Sequence, residues 1–180
     1  MPEAVTHILV PLILVSLIRD FYIRKNGRKN FPLHYVLIAG IAGILPDIDI
    51  IAYWFLNGVG FTFEQVHRTF MHSIFVPLIF VVFAAATIHE KIPKLGKHKL
   101  KLPIIFLMIA LGCLIHLILD AIFVSYILPL YPFSNMKIGI DLFSCLPQPM
   151  QILAPGVLDG ILLVVYFIYL EVRHKISDFI

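Results

Sequence analysis

The sequence predicts an all-α integral membrane protein, a single domain over residues 1–180 with about five transmembrane helices. Of its 180 residues, 60% are hydrophobic and the mean hydropathy is +0.95, whereas soluble domains are usually ~45–50% apolar. Long apolar segments and an uneven distribution of lysine and arginine support the same class. We therefore treat the lipid bilayer as the solvent for most of the chain.

Five apolar segments are the predicted spans, and they cover 4–18, 33–56, 70–88, 102–130 and 152–170. A helix needs roughly 20 apolar residues to cross the hydrocarbon layer. The first segment is short, so it either extends through 21–23 or crosses only part of the membrane. The other four are about long enough to span.

The basic residues predict the orientation of the chain. Twelve of the 14 lysines and arginines follow the first, third or fifth segment. Because basic loops stay on the cytoplasmic side, we expect the N-terminus outside and the C-terminus in the cytoplasm of the plasma or inner membrane. The net charge of +3 then reflects topology, and we expect no nucleic-acid partner. The basic loops can also contact anionic lipid headgroups.

Ionisable side chains recur within or beside the apolar segments, where a charge costs at least a few kcal/mol and is usually functional. With the predicted topology, all of them fall in the outer half of the bilayer. The set consists of His7, Asp47, Asp49, His67, Arg68, His72, His116, Asp120 and Asp159. Since imidazoles and carboxylates bind zinc and related divalent metals, the shared depth predicts one metal site.

Three local patterns contribute to this prediction. His116 and Asp120 lie four residues apart, so they share one helix face. They can bind one ion together or form a hydrogen bond with each other. Pro46 interrupts the second segment and is followed by two carboxylates, of which Asp47 is the better ligand candidate. Asp49 either joins the site or caps the next helical segment.

The start of the third segment supplies the remaining groups. His72 is a candidate ligand and His67 can fold back towards the site. We expect Arg68 either to bind an anion such as phosphate, which suits its planar guanidinium, or to form a salt bridge to the carboxylate at 47 or 49. His7 joins the metal set because of its depth. Asp159 more readily caps the fifth helix than supports the site.

In this order, the motifs resemble the YdjM-like inner-membrane proteins, described as membrane-bound metal-dependent hydrolases. The matching residues are Thr6-His7, Leu45-Pro46-Asp47-Ile48-Asp49, His67-Arg68-x-x-x-His72-Ser73, His116-x-x-x-Asp120 and Tyr131-Pro132-Phe133-Ser134. That family is distantly similar to zinc-dependent phospholipases C and P1-type nucleases. The resemblance implies that Asp47, His72, His116 and Asp120 hold one metal, and that His7 and a bridging Asp120 help to hold a second. No further His-x-x-x-Glu pair is evident, so one or two ions are expected instead of three.

The leading expectation is a metal-dependent hydrolase that cleaves a phosphoester in a membrane lipid or lipid-linked substrate. Zinc is the expected ion and manganese the alternative. Asp49 or His67 would act as general base, and Arg68 would bind the phosphoryl oxygens. The site would face the extracytoplasmic side. Two alternatives stay open, an ion or proton transporter and a structural or regulatory membrane protein; the oligomeric state is open as well.

Overall fold

The computed structural model describes residues 4–26, 31–89, 95, 100–123 and 126–175, and these residues form an all-helical structure. Seven α-helices are present in this part of the chain. They are α1 (Ala4–Asn26), α2 (Leu33–Ala42), α3 (Asp49–Leu56), α4 (Phe63–Val66), α5 (Phe75–Thr87), α6 (Leu102–Phe123) and α7 (Gln148–His174). Six of the basic residues behind the predicted orientation lie outside the described residues: Arg28, Lys29, Lys91, Lys94, Lys97 and Lys99.

Three of these helices, α1, α6 and α7, are each long and apolar enough to cross a membrane. A fourth candidate span is the pair α2 and Pro46–Val59, which is bent by 44° at the break between its halves. The helix α5 has 13 residues, fewer than a span needs. The described residues therefore contain three to four candidate spans, and the count of five and the orientation stay predictions.

The bundle is organised around α6, which packs against α5, α2 and α1, while α7 packs against α1. Close approach of α2 and α6 depends on Gly112, where an added Cβ would lie 2.5 Å from the carbonyl oxygen of Ala39. An apolar core formed by Val15, Val36 and Ala39 fills the space between α1 and α2. Most other apolar side chains point outwards, as expected for lipid-facing helices.

Several predicted boundaries were wrong. The first span extends through 21–23, as one of its two alternatives predicted, and α1 continues to Asn26. The third is shorter, since Phe70–His72 forms a separate 3-10 turn and the backbone N–H of Ile74 donates to the carbonyl of Pro129 instead of extending a helix from residue 70. The fourth ends at Phe123, and α7 already begins at Gln148.

Candidate metal centre

Eight of the nine polar residues singled out from the sequence come together at one end of the bundle, and Asp159 packs beside them. The first turn of α1 contributes His7, and the last turns of α6 contribute His116 and Asp120. Asp47 comes from the break between α2 and α3, and Asp49 is the first residue of α3. His67, Arg68 and His72 come from the connection between α4 and α5.

The break between α2 and α3 places the two aspartates. Helix α2 ends at Ala42 with Gly43 as its C-cap, and Pro46 starts a 3-10 turn that runs to Ile48. Proline has no N–H to continue the α-helical ladder, so the chain turns. An added Cβ at Gly43 would lie 2.0 Å from the carbonyl oxygen of His7, so the absence of a side chain there lets α1 approach the break.

The centre of the cluster consists of two imidazoles and two carboxylates. His72 Nε2 lies 3.2 Å from His116 Nε2 and 3.4 Å from both Asp47 Oδ1 and Asp120 Oδ2. His116 Nε2 lies 3.6 Å and 3.5 Å from the same two oxygens. Atoms bound to a tetrahedral zinc ion at 2.0–2.1 Å are separated by about 3.4 Å. The spacing therefore suits atoms that share one small cation.

A backbone carbonyl fixes which nitrogen of His116 faces the cluster. His116 Nδ1 lies 2.7 Å from the carbonyl oxygen of Gly43. Because a carbonyl only accepts, Nδ1 carries the proton and donates. The lone pair of Nε2 therefore points at His72, in the arrangement usual for a metal-ligating histidine whose second nitrogen is held by a hydrogen bond.

A second group of potential ligands overlaps the first through Asp120. His7 Nε2 lies 3.4 Å from Asp120 Oδ1, while the other oxygen of Asp120 faces His72 and His116. The ring of His7 stacks on that of His116 with a centroid distance of 4.0 Å. His7, Asp47 and His116 also bring ligand atoms within 4.8 Å of one another. The arrangement has donors for one ion or for two that share the Asp120 carboxylate.

Asp49 links the two histidines of the α4–α5 connection. Its Oδ1 accepts a hydrogen bond from His67 Nδ1 at 2.8 Å, and its Oδ2 lies 3.2 Å from His72 Nδ1. Of the two alternatives for Asp49, the structure favours a place in the site, because the N-cap position of α3 is Ile48 and Asp49 is the first residue of the helix. Its carboxylate holds the imidazole of His67 by a hydrogen bond and lies beside that of His72.

Unpartnered polar atoms test whether the cluster fits a metal. Nine buried side-chain nitrogens and oxygens within the described ranges have no hydrogen-bond partner, and all of them belong to this cluster. They come from His7, Asp47, Asp49, His67, Arg68, His72 and Asp120. Such atoms are rare in native proteins and often mark an ion or water. Together with the imidazole and carboxylate donors, they fit a divalent metal.

Arg68 lies at the edge of the cluster beside a cavity of about 200 Å³. The cavity is lined by Phe63, Glu64, His67, Arg68, Tyr126 and Leu128. The buried Nε of Arg68 has no hydrogen-bond partner, and the backbone has a positive φ of 60°. That conformation is uncommon for a residue with a side chain and is often found at functional sites. Within the described residues, the predicted salt bridge from Arg68 to the carboxylates is absent.

The prediction for Asp159 was wrong, since it lies in the middle of α7 and not at its start. Its carboxylate accepts hydrogen bonds from the backbone N–H of Thr6, at 2.9 Å, and from the Thr6 hydroxyl. Both residues are buried. Asp159 thus ties α7 to the turn of α1 that carries His7. The sequence analysis missed the pairing of Thr6 with Asp159 and the contact of His116 with the Gly43 carbonyl. A signal for the first was the polar Thr6 directly before the predicted ligand His7.

Comparisons with known proteins show one match. The model of a family described as YdjM inner membrane protein matches residues 1–175, nearly the whole chain. No curated protein and no solved structure matches the sequence.

Proposed function

The chain belongs to the YdjM inner membrane protein family, and we propose that it is a metal-dependent hydrolase that cleaves a phosphoester in a membrane lipid or lipid-linked substrate. One observation carries the proposal: the cluster of buried, unpartnered histidine and aspartate atoms includes His67, which lines a cavity together with Arg68, whose buried Nε also has no partner. Family membership and the apolar helices support an integral membrane protein.

His72, His116, Asp47 and Asp120 would hold the first ion, and His7 would complete a second position through Asp120. Two imidazoles with carboxylates suit zinc, and manganese is the alternative because carboxylates suit it as well. When bound, a divalent ion would polarise a phosphoryl oxygen and lower the pKa of water enough to supply a nucleophile near neutral pH.

His67 is the better candidate for the general base. Its Nδ1 donates to Asp49, so its buried and unpartnered Nε2 is the nitrogen left to accept a proton. His67 also lines the cavity, whereas the carboxylate of Asp49 is engaged with two histidines. We therefore assign proton acceptance to His67 and its positioning to Asp49.

Arg68 favours a phosphoester among the possible substrates. A guanidinium forms charge-assisted, often bidentate hydrogen bonds with phosphoryl oxygens. Its Nε is buried without a partner next to His67, where it can bind an anion that enters the cavity. The same group would stabilise the negative charge that develops on the phosphoryl oxygens during cleavage.

A membrane substrate is supported by the surroundings of the cavity. Phe63, which lines it, packs edge-on against Tyr53 of α3 at a centroid distance of 5.2 Å. The same helix exposes Trp54 and Phe55, which are 73% and 78% accessible. Tryptophan and tyrosine side chains, here Trp54 and Tyr53, concentrate at the boundary of the bilayer. A lipid headgroup next to these rings could reach Arg68 without leaving the membrane.

The transport alternative lacks support in the packing. A transport route needs polar groups along the bundle, but the interior beyond the cluster contains the apolar core of Val15, Val36 and Ala39, with Met108 and Leu111 packed against it. The structural alternative predicts that the cluster supports stability without binding metal. The measurement of metal content therefore distinguishes it from the proposed hydrolase.

Activity assays on the metal-loaded, detergent-purified protein test the proposal. Substrates are a panel of phospholipids and a chromogenic phosphodiester. We expect Arg68→Gln to lower kcat/KM about 100-fold, the effect of removing one transition-state donor, and His67→Gln to lower it by about the same factor. Metal content should stay near that of the wild type. Lys25→Gln, an exposed cation on α1, is the control. A metal-loaded wild type inactive on every phosphoester would refute the proposal.

A further inference from the structure

A second cavity lies between α1, α2 and α7, and none of its lining residues belongs to the metal centre. It has a volume of about 450 Å³, and half of its lining residues are leucine or valine. Its polar lining residues are Ser16, Arg19, His34, Tyr166 and His174. On α1, the lining begins at Leu12, five residues after His7, and its charged end at Arg19 follows His7 by twelve residues, which is about 18 Å at 1.5 Å per residue. The cavity is therefore separate from the proposed active site.

A smaller polar cleft adjoins this cavity. It has a volume of about 210 Å³ and is lined by Arg19, Asp20, Ile23, Arg24, Arg173 and His174. Arg19 and His174 border both spaces, so an apolar compartment and a basic compartment share one boundary. This combination matches the shape and polarity of an amphiphile with a charged head.

The charge of the cleft is positive. Three arginines and one histidine face a single carboxylate, that of Asp20. The two oxygens of Asp20 are already engaged: Oδ1 lies 4.0 Å from Arg19, and Oδ2 lies 3.5 Å from Arg173 and accepts a hydrogen bond from Tyr169. One carboxylate cannot neutralise three guanidinium groups, so the cleft suits an anion with several oxygen acceptors.

We propose that this pair of cavities binds an anionic phospholipid of the bilayer, with its phosphate group in the arginine cleft and an acyl chain in the cavity between α1, α2 and α7. Basic pockets between transmembrane helices are known to recognise anionic headgroups. The site holds a resident lipid and not a hydrolase substrate, since the metal cluster lies at the other end of the helices. The inference is therefore independent of the proposed function.

Binding of fluorescent phosphatidylglycerol and phosphatidylcholine with identical chains, in detergent micelles, tests the proposal. We expect phosphatidylglycerol to bind at least about tenfold more tightly, and Arg24→Gln/Arg173→Gln to remove this preference. The matched control, Lys25→Gln/Lys175→Gln, removes the same charge from α1 and from the residue that follows α7, both outside the cleft, and should keep the preference. Equal binding of the two lipids to the wild type would overturn the proposal. So would an equal loss of the preference for phosphatidylglycerol in both double variants.

A second variant tests the apolar compartment and covers the case in which the double variant does not fold. Leu170→Trp should fill part of the larger cavity and weaken phosphatidylglycerol binding severalfold while leaving all arginines in place. Glycerol phosphate, which has the head without the chains, should not compete at equal concentration. Unchanged affinity in Leu170→Trp, or full competition by glycerol phosphate, would contradict a lipid site.

Discussion

Gly43 should be the most sensitive glycine of the bundle, because two parts of the metal centre meet at its backbone. Its carbonyl accepts from His116 Nδ1. A Cβ at this position would lie 2.0 Å from the carbonyl oxygen of His7 and 2.9 Å from Pro11. The variant Gly43→Ala must push α1 away from α2, and backbone atoms cannot rotate aside as a side chain can.

Overpacking of this kind costs about 1–3 kcal/mol. At roughly 2–4 °C per kcal/mol for a chain of this length, Gly43→Ala should lower Tm by about 2–12 °C. Because the shift moves His7 and the acceptor of His116 together, the affinity for metal should fall as well. Thermal unfolding and metal titration of the purified protein measure the two effects.

Gly40→Ala is the control for this prediction. It lies on α2, three residues before Gly43, and the three atoms nearest to its added Cβ all belong to the side chain of Leu12, the closest at 2.6 Å. That side chain can change rotamer, and alanine is favoured over glycine in a helix by about 1 kcal/mol. We expect a smaller loss of stability and unchanged metal affinity. Equal effects of the two variants on metal affinity would refute the assigned role of Gly43.

Three further predictions follow from contacts around the cluster. Asp49→Asn should lower metal affinity about 10–100-fold by loosening His72, as measured by competition with a chelating dye; unchanged affinity would contradict the positioning role. Asp159→Ala should lower stability by about 1–3 kcal/mol, because the buried Thr6 donors lose their acceptor; chemical unfolding with unchanged stability would argue against the α1–α7 tie. Removal of metal by a chelator should lower Tm reversibly, since an ion at 100 times its Kd stabilises by about 2.7 kcal/mol; an unaffected Tm would indicate that the native state holds no ion.

The set of residues in the site was predictable from sequence. Ionisable groups within apolar segments are costly, and the orientation predicted from the lysines and arginines of the loops placed these groups at a common depth. The prediction that the residues at 7, 47, 72, 116 and 120 come together is confirmed by the distances between their side chains. The break at Pro46 was also predictable, since proline cannot continue a helix. Metal binding and catalysis stay predictions.

The contact that ties α7 to α1 was not predictable. The bond between Thr6 and Asp159 joins residues 153 positions apart, and no local pattern reports such a pair. Hydropathy also measures apolar length without showing where a helix begins. The hydropathy pattern therefore merged the 3-10 turn at Phe70–His72 with α5. In the structure the two are separate, and His72 lies in the cluster.

Metal content is the most direct test of the central claim that the histidine and aspartate cluster binds a divalent ion. Mass spectrometry would count zinc and manganese in the detergent-purified wild type, in His116→Ala/Asp120→Ala and in His89→Ala, which alters an exposed histidine. We expect one or two equivalents in the wild type and in His89→Ala, and none in the double variant. A wild type without metal after reloading, or a double variant that keeps its metal, would contradict the account.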